Sequence, residues 1–489
     1  MPLRIAIVHY HLKRGGVSRV VDSCLRGFQM LEGAPEAVAL CGEPPPEGEL
    51  GEIPHRVVEG LAYSSAREST PAPVVLWARL REAAVEALGG VPDVWHIHNH
   101  SLGKNDAFPG LVSLMAESRE PMLLQMHDFA EDGRPENFAR NHRLAEYAGR
   151  LYPAAPQIHY AVLNERDRAI FQATLLNEGR LHLLSNPVEG PESRPADDAG
   201  RKKLLEGLDA ERLVLYPVRA LRRKNLGELL FWSLLAAPGT VFATTLGPTN
   251  PDYLTSYRDW RELARSLDLP ARFGIAEDGG RSYEELLDAS DAVLSTSMAE
   301  GFGMAFLEPW LCGKPVLGRD LPSITSDFKR AGLQIDHLYP HLPVPLAWID
   351  SDALREKLRR GLIRSYVAYH RPLPPDAFER ALEAISPGPG IVDFGGLDES
   401  MQQTVLERLR KDRRGREDLG AELRWPEKGA IEANAETVRE HFGLDAYARR
   451  LLDIYDKISS ARSSRPEYLD ERRILKGFLK PENFRLLRS

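Results

Sequence analysis

Short apolar runs alternate with amphipathic stretches along most of this chain, and that alternation limits the possible folds more than any other feature. Short buried strands that alternate with helices indicate a parallel sheet covered by helices on both faces. The alternation runs through the first half, stops, and starts again in the second half. We therefore predict an α/β protein with two doubly wound parallel sheets. Ligands of such sheets bind beyond the carboxyl ends of the strands, here in a cleft between two lobes.

The predicted elements have the following positions. The strands of the first half are Leu3–His9, Val94–His98, Met122–Met126, Ile158–Leu163 and Leu181–Leu184, and its helices include Val17–Phe28, Val74–Leu88 and Asn141–Arg150. The strands of the second half are Leu213–Pro217, Val241–Thr245, Ala271–Gly274, Ala292–Ser295 and Pro315–Leu317.

The break in the alternation predicts the domain boundaries. Pro187–Ala199 is rich in Pro, Gly, Glu and Asp and has no apolar periodicity, which is typical of a linker. A length of 489 residues also favours two or three domains. The predicted organisation is a first domain at 1–187, a linker at 188–203, a second domain at 204–440 and a C-terminal segment at 441–489.

Two regions fit the alternation less well. Residues 334–389 contain prolines, aromatic residues and a predicted helix at Asp352–His370, and we interpret them as an insertion in the second domain. From Arg462 onward the chain has eight Lys or Arg residues against four Asp or Glu. This composition favours a solvated, basic helical tail over a membrane or partner contact.

Bulk properties argue against several classes of protein. The net charge of −8 disfavours a general nucleic-acid binder, because phosphate binding needs a concentrated basic surface. Cys24, Cys41 and Cys312 are widely spaced and include no CxxC pair, which favours a reducing compartment. The amino terminus runs into a strand pattern without the sections of a signal peptide, and no window of about 18 apolar residues occurs. We expect a soluble, cytoplasmic protein.

Candidate phosphate-binding residues follow predicted strands in both halves. Gly15 and Gly16 lie between the first strand and a helix, where backbone amides can approach a phosphate or a sugar. Their spacing is not GxGxxG, which counts against a dinucleotide fingerprint. Arg219 and Lys224 follow the strand Leu213–Pro217, so both cations can face a leaving diphosphate.

Arg222 and Arg223 lie between those two cations in the sequence. Surface solvation is the simplest interpretation of an arginine in a polar loop, and we predict it for both.

Two glutamates stand eight residues apart after the strand Ala292–Ser295. Glu300 is predicted in a loop at the cleft, where its carboxylate can accept hydrogen bonds from sugar hydroxyls, and Glu308 lies about two turns further along. A pair of carboxylates can also serve a hydrolase as acid and nucleophile. The glycine-rich strand–loop–helix setting favours binding of a phosphorylated sugar. Pro309 should bend the following helix unless it lies in the first turn.

The ordered set of motifs resembles retaining glycosyltransferases of the GT-B fold, particularly the large GT4 family. The stretch from Glu300 to Glu308 looks like the E-x7-E motif of that family, and YPVRALRRKN matches its R-x4-K pattern. Similar pieces elsewhere are IAIVHYHLKRGGVSRVV, VPDVWHIHNH, LLQMHDF, LLSNPV, CGKPVLGRD and FGLDAYARRLLDIY. The resemblance covers residues 1–333 and 390–457, and only E-x7-E is specific by itself.

That resemblance implies two Rossmann-like domains and a retaining, metal-independent transfer of a hexosyl group. The donor would be a nucleotide-diphosphate sugar, most commonly UDP-hexose, with GDP- and ADP-linked donors left open, and no cofactor is expected. The acceptor would be a small-molecule, glycan or lipid hydroxyl, and the basic tail could make a weak peripheral membrane contact. The helix near the C-terminus would return to the first domain.

The resemblance also implies roles for individual residues. Arg219 and Lys224 would neutralise the diphosphate, while Glu300 would hold hydroxyls of the donor sugar. Glu308 would bind the ribose, and the ring of His127 would lie near the reacting carbon. The implied catalytic set is His127, Arg219, Lys224 and Glu300, and the implied donor-binding set is Gly15, Gly16, Phe302, Gly303 and Glu308. The residue after His127, Asp128, is interpreted as structural.

Histidines are concentrated near predicted strand ends in the first half. His96, His98 and His100 alternate in the sequence, which suggests a metal site. No Cys or paired carboxylate nearby completes a ligand set, so structural or acceptor-side roles are favoured. His9 and His11 end a strand beside the glycine pair and are predicted to contact the acceptor.

Three other functions stay open on the sequence. A nucleotide-sugar epimerase uses the same two-lobed fold. A sugar-phosphate phosphorylase with pyridoxal phosphate would need a Schiff-base lysine, and the second half offers no convincing one. A catalytically inactive sugar-nucleotide-binding protein is disfavoured because Arg219, Lys224, Glu300 and Glu308 are all present.

Overall fold

The structure is a computed structural model that describes residues 2–46, 53–64, 70–174, 176–190, 198–277 and 280–488. The chain forms two compact units. Unit 1 consists of Met1–Pro187, Ala368–Arg371 and His441–Lys480, and unit 2 consists of Val188–Val367, Pro372–Glu440 and Pro481–Ser489. Each unit is therefore assembled from three separate stretches of sequence.

Unit 1 is built on a sheet of seven parallel strands. Its strands up to residue 187 are β1 (Arg4–His9), β2 (Glu36–Cys41), β3 (His55–Val57), β4 (Val94–His98), β5 (Met122–Met126), β6 (Pro153–Ala154), β7 (Ile158–Val162) and β8 (Leu181–Leu183). The sheet has the order β3-β2-β1-β4-β5-β7-β8. The helices are α1 (Gly16–Gln29), α2 (Pro73–Leu88), α3 (Phe108–Glu117), α4 (Pro135–Asn141) and α5 (Glu165–Gln172).

Unit 2 contains a second parallel sheet of five strands and most of the helices. Its strands are β9 (Arg212–Arg219), β10 (Thr240–Leu246), β11 (Ala271–Arg272), β12 (Ala292–Ser295), β13 (Val316–Gly318), β14 (Pro343–Pro345) and β15 (Ile391–Asp393), of which the first five form the sheet in the order β11-β10-β9-β12-β13. Its helices are α6 (Asp198–Leu208), α7 (Leu226–Leu234), α8 (Leu254–Ser266), α9 (Tyr283–Ala289), α10 (Glu308–Leu311), α11 (Pro322–Ala331), α12 (Ser351–Ala368), α13 (Ala377–Glu383), α14 (Glu399–Lys411), α15 (Arg413–Leu419) and α16 (Ala430–Phe442).

The C-terminal part of the chain adds α17 (Leu444–Ser459), β16 (Glu467–Tyr468) and α18 (Glu471–Phe478) to unit 1. The strand β16 pairs antiparallel with β6. The prediction of a solvated tail from Arg462 onward was wrong. Apolar side chains of α18 are buried in unit 1, and Leu486 and Leu487 are buried in unit 2. The apolar residues, not the surrounding basic ones, determine that this segment packs against the protein, because their burial removes large nonpolar areas from water.

Both faces of the first sheet are buried, as its continuous apolar strands require. In β1, Ala6 and Val8 enter one core cluster, whereas Ile5 and Ile7 enter another. The second cluster includes buried tyrosines and leucines of α17, which packs beside α1. The C-terminal helix α17 therefore covers one face of the amino-terminal sheet.

The predicted elements mostly agree with the structure. The strands β4, β5 and β12 match their predictions residue for residue, and α12 is the helix predicted at Asp352–His370. The prediction of a helix at Asn141–Arg150 was wrong, because α4 begins at Pro135 and ends at Asn141. Pro135 suits the first turn of a helix, and the Asn141 side chain donates to the Ser101 carbonyl at 2.6 Å. The strand β2 was not predicted.

The predicted linker is only partly described. Residues 191–197 lie outside the described part of the chain, and α6 begins at Asp198, so the last six residues of the predicted linker at 188–203 are helical. Among the described residues, no helix combines the length and the apolar character needed to cross a bilayer.

A buried ion-pair network lies at the carboxyl end of β13. The Arg319 guanidinium contacts the Glu228 carboxylate at 2.6 and 3.0 Å and the Asp393 carboxylate at 2.8 and 2.9 Å. All three side chains are almost completely buried. The Tyr339 hydroxyl donates to Glu228, and the Pro340 carbonyl accepts from Arg319. Residues of the predicted insertion therefore complete this network.

Replacing the central cation should destabilise unit 2. Arg319→Ala leaves two buried carboxylates without a counter-ion, so we expect the free energy of unfolding to fall by about 3–5 kcal/mol. Urea unfolding followed by intrinsic fluorescence would measure the change. Arg265→Ala is the control, because it removes an arginine whose ion pair with Glu262 is exposed. It should leave the urea midpoint unchanged. Equal midpoints for Arg319→Ala and the parent protein would contradict the assignment.

Candidate functional site

In the second sheet the order in which strands are added reverses at β9, and two loops meet there. The strand β9 pairs with β10 on one side and with β12 on the other, so successive strands are added on opposite sides of it. Open α/β sheets bind ligands in the crevice beyond the carboxyl ends of the strands at such a point. The loop after β9 carries Lys224, and the loop after β12 carries Glu300.

These two residues form an ion pair in unit 2. The Lys224 ammonium contacts one oxygen of the Glu300 carboxylate, and the Ser297 hydroxyl donates to the same oxygen. The other oxygen accepts from the Arg223 guanidinium at 3.3 Å. Arg223 also donates to the Ala299 carbonyl at 2.7 Å. A carboxylate and two cations are thus concentrated beyond the carboxyl ends of β9 and β12.

Backbone hydrogen bonds hold the two loops in this arrangement. The Tyr216 hydroxyl and the Thr296 hydroxyl both donate to the Lys224 carbonyl, at 2.9 and 3.0 Å. The Met298 amide donates to the Arg223 carbonyl at 2.8 Å. These bonds fix the backbone carbonyls of Arg223 and Lys224, so the side chains of both residues start from fixed positions.

Charge and burial set the ionisation of the pair. Burial alone would raise the pKa of Glu300, but the neighbouring Lys224 and Arg223 cations and the donated hydrogen bonds hold that pKa below its usual value. Burial lowers the pKa of Lys224, and the Glu300 carboxylate opposes that change. Glu300 is therefore ionised at neutral pH and accepts hydrogen bonds.

The rest of the glutamate motif forms a compact turn. Phe302 is buried and its ring packs edge-on against Phe328. Gly303 has φ +92°, and a Cβ added there would come within 2.6 Å of Ile324, so only glycine fits. Glu308 is the first residue of α10 and is largely buried. Pro309 lies in the first turn, where proline does not break a helix, so the helix is not bent at Glu308.

The three arginines near Lys224 have different surroundings. Arg219 is exposed at the end of β9, and within the described residues no hydrogen bond or ion pair joins it to Glu300. Arg222 and Arg223 were predicted to be solvated, and this was wrong. Arg222 pairs with Glu399 at 3.3 Å, and Arg223 contacts Glu300. The loop conformation after β9, which local sequence does not specify, turns both guanidinium groups toward carboxylates.

The glycine pair in unit 1 lies at the start of α1. Gly15 is extended, at φ 176°, and Gly16 is the first helical residue. A Cβ added at Gly16 would meet no atom of the described residues within 4 Å. Neither glycine is therefore required by the backbone or by crowding. The helix begins without a side-chain cap or an acidic first turn, so its first amides are available to an anion.

Buried imidazoles cluster near the carboxyl ends of β1, β4 and β5 in unit 1. His98 Nδ1 and His127 Nε2 are 2.8 Å apart, and the two rings are stacked. His96 bonds to the Tyr455 hydroxyl and packs against His98 at 4.3 Å between ring centroids. His9 lies edge-on to His98. The structure therefore brings four of the histidines noted in the sequence into one cluster.

Burial keeps this cluster uncharged. It lowers the pKa of His96 and of His127 to about 3, and the pKa values of His9 and His98 are also well below the usual value. His100 lies apart, and its Nε2–H donates to the Leu151 carbonyl at 2.9 Å, which is a structural role. The described residues contain no group of three or more His, Cys, Asp or Glu side chains arranged to hold a metal ion.

The residues after His127 are held by neighbouring loops. The Asn99 side chain accepts from the backbone amides of His127 and Asp128, at 2.7 and 3.1 Å. Asp128 itself forms an ion pair with Arg134 at 2.6 Å. These bonds fix the backbone on which the His127 ring is mounted.

Comparisons with known proteins extend over almost the whole chain. No family model matches it. The mannosylglucosyl-3-phosphoglycerate synthase of Petrotoga mobilis (strain DSM 10674 / SJ95) is 24% identical over an alignment of 535 positions, which covers 99% of this chain and 99% of that protein.

Two solved structures show the same fold. Anabaena Alr3699/HepE in complex with UDP-glucose is 14% identical with a TM-score of 0.51, covering 92% of this chain and 99% of that one. The catalytic domain of Starch Synthase IV from Arabidopsis thaliana, bound to ADP and acarbose, is 12% identical with a TM-score of 0.54, covering 94% and 100%. The chain therefore has the GT-B fold, with two Rossmann-like units.

The Lys224–Glu300 pair generates a first prediction for this site. If the pair binds a nucleotide-sugar donor, Lys224→Ala or Glu300→Ala should reduce turnover of that donor at least about a hundredfold, because each removes one of the two charges. Steady-state rates of nucleoside diphosphate release would measure the loss, with circular dichroism to check the fold. Glu206→Ala changes an exposed glutamate of the same unit and serves as the control. Normal turnover in either site variant would refute the assignment.

The imidazole cluster predicts an acid-sensitive unit 1. Below pH about 6.5 the histidines protonate in the unfolded chain, whereas His96 and His127 resist protonation in the native unit down to about pH 3. Stability therefore falls as the pH drops through this window, by up to about 1.4 kcal/mol per pH unit for each histidine.

Urea unfolding at pH 7, 6 and 5 tests this dependence. His96→Gln should flatten the decline in the free energy of unfolding, whereas His370→Asn, at an exposed position, should not. An unchanged slope in His96→Gln would show that the cluster does not set the acid sensitivity.

Proposed function

We propose that the protein is a retaining glycosyltransferase that moves a hexosyl group from a nucleotide-diphosphate sugar to an acceptor hydroxyl. The observation that carries the proposal is the Lys224–Glu300 pair. It lies beyond the carboxyl ends of β9 and β12, where the strand order of the second sheet reverses. A buried, ionised carboxylate beside two cations suits a ligand with hydroxyls at one end and a diphosphate at the other.

The cations act on the leaving group. As the bond between the anomeric carbon and the phosphate oxygen breaks, negative charge grows on the diphosphate. In this proposal Lys224 and Arg223 neutralise that charge, and Arg219 joins them from the end of β9. Preorganised charges of this kind are often the largest single contribution to catalysis, because they need no reorganisation during the reaction.

The glutamates position the donor. Glu300 accepts hydrogen bonds from hydroxyls of the transferred sugar, assisted by the backbone around Phe302 and Gly303. When the diphosphate binds, Lys224 exchanges part of its contact with Glu300 for a phosphate oxygen. Glu308 binds the ribose, and Gly15 and Gly16 leave space for the phosphate and sugar beside the start of α1.

The acceptor oxygen bonds to the anomeric carbon on the face from which the diphosphate departs. The acceptor proton passes to an oxygen of the departing phosphate, so the atoms balance without an enzyme nucleophile. The positive charge that the reaction needs comes from protein side chains. The placement of His127 near the reacting carbon stays a prediction.

The names of similar proteins support this assignment. The HepE structure holds UDP-glucose, the starch synthase domain holds ADP, and the Petrotoga relative is named for a product that combines mannosyl, glucosyl and phosphoglycerate groups. We infer a hexose donor, with UDP, GDP and ADP as its candidate nucleotides, and an acceptor of the phosphoglycerate glycoside class.

A direct test is to incubate the protein with UDP-, GDP- and ADP-linked hexoses and glucosyl-3-phosphoglycerate. We expect one donor to yield a glycosylated product whose new linkage keeps the anomeric configuration of the donor, as read from proton NMR coupling constants. An inverted linkage would refute the retaining mechanism. Interconversion of the nucleotide sugar without transfer would indicate the epimerase instead.

A further inference from the structure

A second cluster of charged and aromatic side chains lies beyond the same strand ends of unit 1 as the imidazoles. Tyr63 follows β3, Lys104 follows β4 and Arg134 follows β5. The Lys104 ammonium is 5.6 Å from the centre of the Tyr63 ring, and the ring of His11 packs edge-on against Tyr63 at 4.9 Å. His11 in turn contacts His9 of the imidazole cluster.

The loops that carry these side chains are fixed to each other. The buried side chain of Asn105 donates to the carbonyls of Gly60 and Ala62, at 2.8 and 2.6 Å. The Ser64 amide donates to the Lys104 carbonyl at 2.8 Å. Tyr63 and Lys104 therefore project from a preformed backbone, as a binding site requires.

Lys104 is the cation in this cluster that is available to a ligand. Arg134 is paired with Asp128 at 2.6 Å, and Arg140 lies 3.6 Å from Asp106. Within the part of the chain that the structure describes, no carboxylate lies within ion-pair distance of the Lys104 ammonium. Burial, together with the charges of Arg134 and Arg140, lowers the pKa of Lys104, and the carboxylates of Glu136 and Asp128 oppose that change.

We propose that Lys104, with Tyr63 and Arg134 beside it, forms the subsite that binds the phosphate group of the acceptor. This inference rests on the proposed function and adds to it the residues that select a phosphorylated acceptor. Lys104 binds the phosphate as a point charge, and Arg134, which stays paired with Asp128, adds positive charge beside it. The Tyr63 ring packs against the Lys104 side chain and limits its positions.

The test compares two acceptors that differ only in the phosphate, glucosyl-3-phosphoglycerate and glucosylglycerate. Lys104→Gln should raise the KM for the phosphorylated acceptor about tenfold and the KM for the unphosphorylated one less than about twofold, because one charge-assisted contact is lost. Lys104→Arg should restore most of the difference. Lys202→Gln, at an exposed lysine of α6, is the matched control.

The outcomes separate this inference from the function on which it rests. An equal rise for both acceptors in Lys104→Gln, or no rise for the phosphorylated one, would overturn the phosphate subsite while leaving transfer intact. Failure of the wild-type protein to release nucleoside diphosphate from any donor would overturn the proposed function and the subsite with it.

Discussion

The buried guanidinium of Arg319 is the interaction on which the candidate donor site depends. Its amide donates to the Ser295 carbonyl at the end of β12, and its side chain holds Glu228. Glu228 accepts from the side chain of Asn225, the residue next to Lys224. Arg319 therefore links the start of the loop after β12 to the end of the loop after β9, and the side chains of these loops meet in the Lys224–Glu300 pair. Such a network is costly to bury unless every charge is matched, and here hydrogen bonds from several elements match it.

Both sheets carry polar residues near the carboxyl ends of their strands, but these residues are charged in unit 2 and neutral in unit 1. In both, the polar residues stand near the carboxyl ends of parallel strands that flank the change in strand order. In unit 2 they are charged, as in Lys224 and Glu300, and their charges are largely satisfied within the protein. In unit 1 they are imidazoles, as in His98 and His127, and burial keeps them neutral.

The sequence predicted those features that depend on local pattern. β4 and β5 are continuous apolar runs buried on both faces, so their limits could be read to the residue. β2 was missed because its alternating alanines give a weak strand signal. Lys224 and Glu300 were grouped from motif spacing, but the contact of Arg223 with Glu300 depends on how the loop after β9 turns. The role of the insertion could not be predicted either, because Tyr339 reaches Glu228 across 111 positions of sequence.

Unit 1 combines segments from the two ends of the chain, and this has a consequence for folding during synthesis. The helix α17, which covers Ile5 and Ile7, lies more than four hundred residues after them in the chain. During synthesis this face of the amino-terminal sheet is covered only in part, by α1, and the part that packs against α17 stays uncovered until nearly the whole chain has been translated. A fragment that stops at Pro187 would keep that part of the face exposed to water, so it should aggregate rather than fold as an independent domain.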